Sequence, residues 1–87
     1  MIEKGYYKHY KGASYKVTGF AIHTETEDEL VIYHDIKGNV WARPLFMWNE
    51  TVDGKLRFKR YKDQRDGMLK FNLQRNITKN NKEERRI

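Results

Sequence analysis

The sequence predicts an all-β fold, a small SH3-like barrel or roll of about five antiparallel strands formed by residues 1–61. Short segments rich in β-branched and aromatic residues are separated by tight-turn signals, and no convincing helical pattern precedes residue 62. A flat sheet of this size cannot cover its own apolar face, whereas a strongly bent sheet that closes can do so. The 87 residues allow one core and therefore one domain.

The first two strands are predicted on either side of a turn at residues 11–14. The preceding aromatic run, residues 6–10, suits a strand. In the second strand Tyr15 and Val17 are expected to face inward, and Lys16 outward. Gly19 predicts a bulge or bend in that strand, because a glycine inside a strand often marks one. The polar residues 23–28 then predict a loop.

The third and fourth strands are predicted as a hairpin. Residues 29–34 are largely β-branched or aromatic and form the third strand. Residues 35–39 form the hairpin loop, with Gly38 in a left-handed conformation. The fourth strand covers residues 40–43 and ends at Pro44, which has no backbone N–H to donate.

After Pro44, a single helical turn, of the α or the 3₁₀ type, is predicted to fold Leu45 or Met47 over an open end of the barrel. A tight turn over residues 52–55 leads into a fifth strand, residues 55–61, in which the apolar Leu56 and Phe58 alternate with the basic Arg57 and Lys59. The alternation in these strands predicts a core that contains Tyr15, Val17, Ile32, Leu56 and Phe58.

Residues 62–87 are predicted to be a basic C-terminal extension that is partly ordered at most. This segment has eight Lys and Arg against four Asp and Glu, a balance of +4 out of the net +6. Leu69, Phe71 and Leu73 alternate as in a strand, but Leu69, Leu73 and Ile77 also have helical spacing, so periodicity leaves both alternatives open. From Asn76 onward the composition predicts disorder, and residues 62–87, or at least those beyond Asn76, should be removable without unfolding the domain.

Several blocks of the sequence resemble a known family, the bacterial and phage domains catalogued as domain of unknown function number 1653. The resemblance covers residues 5–61 and implies an SH3-like β-roll, but it implies almost nothing about activity. Met47 and Trp48 stand where the family usually has Met-Phe. The blocks that carry the resemblance are Gly5–Gly12, Tyr15–Val17, Ala21–Thr26, Glu29–Tyr33, Trp41–Pro44 with Met47, and Arg57–Phe58.

The strongest functional candidate is an aromatic and basic surface around Trp41 and Arg43. These two residues share one face of a strand next to Tyr33 and could form a stacking and cation–π platform for a nucleobase or a peptide. In the alternative interpretation, Trp41 belongs to the core and Arg43 forms a surface ion pair. The residues predicted to bind a ligand are His9, Lys11, His23, Glu25, Tyr33, Trp41 and Arg43.

The leading functional hypothesis is nucleic-acid or nucleotide binding, because the protein is basic and its aromatic residues are interleaved with basic ones. Four tail residues are predicted to add non-specific contacts to a polyanion: Lys79, Lys82, Arg85 and Arg86. A second hypothesis is a protein-interaction module that uses an aromatic groove or a sheet edge. A third, small-molecule binding, would involve His23, Glu25 and Arg43.

The sequence argues against catalysis and against a bound cofactor or metal. Ser14, the only serine, lies in a turn, and four acidic residues share the loop region near residues 25–29 rather than facing each other across a cleft. Cysteine is absent, and no histidine pair has metal-ligand spacing. No apolar run suits a signal peptide or a spanning helix, so a cytoplasmic monomer or weak homodimer without a membrane partner is expected.

Overall fold

The computed structural model of the chain describes residues 2–84, and beyond residue 77 it describes the backbone alone. Seven strands and two helices follow in chain order: β1 (Gly5–His9), β2 (Ser14–Ile22), β3 (Glu29–His34), β4 (Val40–Pro44), α1 (Leu45–Trp48), β5 (Thr51–Val52), β6 (Lys55–Leu56), β7 (Phe58–Arg60) and α2 (Gln64–Glu84). Five strands form one antiparallel sheet in the order β4-β3-β2-β1-β7, and β5 pairs with β6. The fold is therefore mostly β, whereas the sequence predicted an all-β class without the long helix α2.

The local features predicted from glycine and proline are confirmed. The register between β2 and β3 shifts between Val17 and Gly19, where a bulge was predicted. Gly38 has a φ of 91°, the left-handed conformation required by the hairpin loop. Pro44 ends β4, and α1 begins at the next residue. These features depend on the backbone preferences of single residues, which can be read directly from the sequence.

The prediction of a closed barrel is wrong, because the two outer strands of the sheet do not pair with each other. In residues 2–84, β4 pairs only with β3 and β7 only with β1. The sheet nevertheless curls, since the Arg43 guanidinium of β4 lies 5.5 Å from the Phe58 ring of β7. The buried Trp48 of α1 packs among the rings of the curled face. Side-chain packing thus replaces the missing backbone closure.

The predicted fifth strand is interrupted at Arg57. Its N–H donates to the Glu50 carbonyl at 3.0 Å, while its carbonyl accepts from the Tyr10 N–H at 2.9 Å. The chain therefore leaves the small sheet and joins the large one at this residue. Leu56 remains in the small sheet opposite Thr51 and is 50% exposed, so its assignment to the core is wrong.

The core lies on the inner face of the large sheet, which we define as the face that carries Val17 and Phe58. Both are buried as predicted, Tyr15 packs at the core's margin, and Ile32 is half-buried on the other face. The Trp48 and Phe58 rings stack with centroids 3.7 Å apart. The sequence did not identify four of the buried residues of this core: Tyr7, Val31, Tyr33 and Trp48.

Helix α2 packs against β1 and β2, on the face opposite the core, and it resolves the alternatives left open for residues 69–77 in favour of a helix. Phe71 is buried with its ring 5.7 Å from that of Tyr6. The Gln64 amide accepts from the Tyr6 N–H at 2.6 Å, and the Gln74 amide accepts from the Ser14 N–H at 2.8 Å. Disorder was predicted from Asn76 onward, but the backbone continues as part of α2 to Glu84; residues 85–87 lie outside the described part.

Gly67 lies where α2 approaches the sheet most closely, and its replacement by alanine is expected to destabilise the fold. A Cβ there would lie 2.7 Å from a Tyr61 ring carbon and 2.8 Å from the Tyr6 Cβ. Alanine favours a helix by about 1 kcal/mol over glycine, but overpacking of this kind typically costs about 1–3 kcal/mol.

Urea unfolding of Gly67→Ala should therefore give a lower free energy of unfolding than the wild type. Asn72→Ala is the matched control, because Asn72 is exposed on the same helix and should become neutral or slightly more stable by helix propensity. A Gly67→Ala protein as stable as Asn72→Ala would show that α2 does not approach the sheet this closely.

Candidate functional site

Each strand of the large sheet contributes one side chain to a compact group on the inner face, which we call the inner-face cluster: His9, Tyr15, Tyr33, Arg43 and Phe58. The His9 and Phe58 rings are 5.0 Å apart, and Tyr15 lies 5.6 Å from both Tyr33 and Phe58. The Arg43 guanidinium lies 5.5 Å from the Phe58 centroid. The curl of the sheet thus places a cation beside aromatic rings from strands that are not sequence neighbours.

The surroundings of His9 and Tyr15 in this cluster favour the neutral forms of both side chains. Burial lowers the pKa of His9, and the charges of Arg57, Lys11 and Arg43 lower it further. The neutral ring is consistent with the Nδ1 atom accepting from the Lys11 N–H at 3.2 Å. Burial also raises the pKa of Tyr15, with smaller contributions from Tyr33 and Asp35 that Arg43 opposes.

Trp41 lies on β4 at the rim of the cluster, opposite Tyr33 in the register and two residues from Arg43. It is 50% exposed, so the alternative that it belongs to the core is wrong. Its indole Nε1–H donates to Asp35 Oδ2 at 2.7 Å. This hydrogen bond fixes the orientation of the indole ring, which remains half exposed.

Asp35 was not identified from the sequence, although it organises the β3–β4 hairpin. Its Oδ1 accepts from the N–H groups of Lys37 and Asn39, both at 2.9 Å. Burial alone would raise the pKa of this carboxyl, but the hydrogen bonds from Trp41, Asn39 and Lys37 lower it below its usual value. Asp35 is therefore a charged carboxylate that both caps the loop and holds the indole. An aspartate at the first position of a hairpin loop was the available signal.

The other predicted ligand residues are not all brought together. Tyr33 joins the cluster from the core and is only 6% exposed, so a ligand reaches little of its ring. Lys11 lies in the β1–β2 turn, with its ammonium 5.7 Å from the Tyr10 ring. His23 and Glu25 lie in the exposed β2–β3 loop, where His23 Nδ1 accepts from the Glu25 N–H at 3.1 Å. This contact shapes the loop.

The predicted tail contacts fall where the structure gives no side chains. Lys79 and Lys82 belong to the part of α2 described by its backbone alone, and Arg85 and Arg86 lie outside the described residues. Among the described side chains of residues 2–77, no three His, Cys, Asp or Glu are grouped so that they could hold a metal ion. Neither α1 nor the described part of α2 is long and apolar enough to cross a membrane.

Comparison with known proteins identifies one family. A family model described as "Protein of unknown function (DUF1653)" matches residues 5–63. The chain is also similar to a solved protein belonging to DUF1653 from Bordetella bronchiseptica, with 34% identity and a TM-score of 0.63. That alignment covers 69% of this chain and 87% of the other. No curated protein matches the chain. The region matched by the family model contains the whole inner-face cluster, Trp41 and Asp35, and it ends just before α2 begins.

Proposed function

The chain belongs to the DUF1653 family of proteins of unknown function, and we propose that it binds single-stranded nucleic acid through Trp41 and the inner-face cluster. The observation that carries this proposal is the half-exposed Trp41 indole, held by Asp35 on the strand that also presents Arg43. An exposed ring of fixed orientation, next to a cation, matches the requirements of a nucleobase and its phosphate.

Stacking supplies the part of the affinity that depends least on salt. A base stacked on an aromatic side chain contributes roughly 1–3 kcal/mol, largely independent of its identity. The hydrogen bond from Trp41 to Asp35 reduces the freedom that the indole would lose on binding, and such preorganisation favours affinity. Arg43 adds a guanidinium that can contact the phosphate or the base plane.

Electrostatic attraction supplies the remaining, salt-dependent part of the affinity. The net charge of +6 favours a polyanion, and affinity of this kind falls steeply as salt rises. Lys79, Lys82, Arg85 and Arg86 add non-specific attraction in this proposal. Removal of these four charges should therefore reduce the salt dependence of binding and leave the contribution of Trp41 intact.

We also propose that the sheet is an open SH3-like roll that works as a cytoplasmic binding module and not as an enzyme. The pairing of β1 with both β2 and β7, and a short helix between β4 and the final strand, support this description. The proposed state is a monomer or weak homodimer. Folds of this class host many functions, so the argument for nucleic acid depends on the surface and not on the fold.

A second candidate function is protein interaction, which an apolar groove favours. The groove has a volume of about 250 Å³ and is lined by Phe20, Ala21, Ile22, Glu29, Leu30 and Leu45. Phe20 and Ile22 are exposed. None of the lining residues belongs to the inner-face cluster, so substitutions in the two regions separate the two functions.

Fluorescence anisotropy of labelled RNA and DNA single strands tests the proposal. Strands of about eight nucleotides lie within the roughly 4–16 that small oligonucleotide-binding β-domains occupy. Trp41→Ala should weaken binding about tenfold at both low and high salt, because about 1.4 kcal/mol of stacking corresponds to that factor. The control Phe46→Ala, which also removes an exposed aromatic ring, should bind as the wild type does. No binding by the full chain at low salt would eliminate the proposal, and protein interaction would then lead.

A further inference from the structure

A pocket that the sequence did not predict lies at the β1–β7 end of the sheet. It has a volume of about 420 Å³, and its walls come from β1, β6, β7 and the residue after β1. Three of its lining residues are lysines, and none is acidic: Lys8, His9, Tyr10, Lys55, Leu56 and Lys59. Its chemistry is therefore that of a cationic pocket with an apolar and aromatic wall.

Two of the lysines are placed against each other by the sheet itself. Lys8 of β1 is the direct register partner of Lys59 of β7. Like charges in directly opposed positions of an antiparallel pair are destabilising. Among the side chains that the structure describes, those of residues 2–77, none of the carboxylates forms a salt bridge with Lys8, Lys55 or Lys59. An anion bound between Lys8 and Lys59 would remove this repulsion.

The chemistry of the pocket fits a phosphate group. Each lysine ammonium offers three hydrogen-bond donors and no acceptor, and phosphate oxygens accept charge-assisted bonds from it. Tyr10 and Leu56 are both exposed and give the pocket a wall against which a sugar or base can pack. A phosphate group within a nucleotide chain would contact the lysines, and its neighbouring sugar or base would pack against Tyr10 and Leu56.

One residue, His9, links the pocket to the inner-face cluster, whereas Lys8 and Lys59 alternate with His9 and Phe58 along β1 and β7 and therefore lie on the other face of the sheet. His9 lines the pocket and also belongs to the inner-face cluster, where its ring lies 5.0 Å from Phe58. Arg43 lies over the same Phe58 ring, and Trp41 is two residues away along β4. A nucleic-acid strand that contacts both the lysines and the exposed indole therefore passes around the β7 edge of the sheet.

We propose that the pocket formed around Lys8, Lys55 and Lys59 binds a backbone phosphate of a single-stranded nucleic acid whose base stacks on Trp41. This inference rests on the proposed function and names its anchoring site. The lysines supply affinity and set the register of the strand, since phosphate contacts position a nucleic acid without reading its sequence.

The test compares two double variants with the same net charge. Lys8→Gln with Lys59→Gln removes the opposed pair, whereas Lys4→Gln with Lys62→Gln removes two exposed lysines outside the pocket. The pocket variant should bind an eight-nucleotide strand about tenfold more weakly than the control variant at low salt. Its plot of log affinity against log salt should also be shallower, by about 0.7 for each phosphate that the protein no longer neutralises. Equal affinity and slope for the two variants would overturn the inference.

A second measurement separates this inference from the proposed function. Inorganic phosphate and the eight-nucleotide strand are each titrated into the full-length protein and followed by the amide NMR signals of Lys8, Tyr10 and Lys59. If phosphate shifts these signals but no strand binds, the pocket is supported as an anion site and the proposed function fails. If the strand binds and shifts Trp41 but none of the three pocket signals, the proposed function stands and the pocket inference is overturned. No shift with either ligand overturns both.

Discussion

Trp48→Ala is expected to lower the free energy of unfolding by about 3–5 kcal/mol, as large aromatic truncations in cores do. Trp48 is 1% exposed, stacks on Phe58 at 3.7 Å and meets the rings of Tyr7 and Tyr33 at 5.3 and 5.0 Å. A small domain without disulfides has only about 5 kcal/mol to lose. The variant should therefore be largely unfolded at 25 °C.

Phe46→Ala is the matched control for this substitution, because it removes an aromatic ring from the same helix at a position that is 63% exposed. Its stability should lie within about 0.5 kcal/mol of the wild type. In the same denaturant series, Phe58→Ala should cost about 3 kcal/mol or more, and Leu56→Ala should cost much less because Leu56 is exposed. A Trp48→Ala protein that unfolds near the wild-type midpoint would contradict the packing of α1 against the curled sheet.

A chain that ends at Tyr61 is expected to lose the dispersed NMR spectrum of a folded domain, whereas a chain that ends at Asn76 should keep it. The shorter chain lacks Phe71 and the amide groups of Gln64 and Gln74, which satisfy backbone groups of β1 and β2. Removal of a buried phenylalanine alone typically costs about 3–5 kcal/mol. The domain boundary predicted at residue 61 therefore separates the large sheet from helix α2, which packs against it.

Single substitutions in the full chain check the same point without removing the tail charges. Phe71→Ala should destabilise strongly, while Leu73→Ala, two positions along the same helix and exposed, should have little effect. A folded chain ending at Tyr61, together with a neutral Phe71→Ala, would show that α2 is dispensable for the sheet.

Local signals in the sequence predicted the strands and turns well, because backbone preferences reside in single residues. Gly19 and Gly38 permit backbone conformations that other residues avoid, and Pro44 fixes φ and has no N–H to donate. The failures concern long-range pairing. The pattern of residues 55–61 could not reveal that the chain changes sheets at Arg57. The strands on both sides of Arg57, β6 in the small sheet and β7 in the large one, have the same side-chain period of two residues. The helix α2 also lacks a clear apolar face, because two glutamine amides provide much of its attachment.

The candidate site was partly predictable for the same reason. Trp41 and Arg43 were identified because they share a strand face, and the residue blocks identified a family that the comparison confirms. Asp35, and the Lys8–Lys59 pair, required the hairpin geometry and the register of β1 against β7. His23 and Glu25 were included because their residue types suit ligand binding, but the fold leaves them in a separate loop.

Tryptophan fluorescence tests the central claim most directly, because the chain has only two tryptophans and they occupy opposite environments. Trp41 is 50% exposed at the proposed site, and Trp48 is 1% exposed in the core, where it serves as an internal reference. Titration with an eight-nucleotide single strand should quench the wild-type emission as a base stacks on Trp41, and Trp41→Phe should abolish the quenching while the protein stays folded. Unchanged emission in the wild type at saturating binding, or equal quenching in Trp41→Phe, would contradict the account.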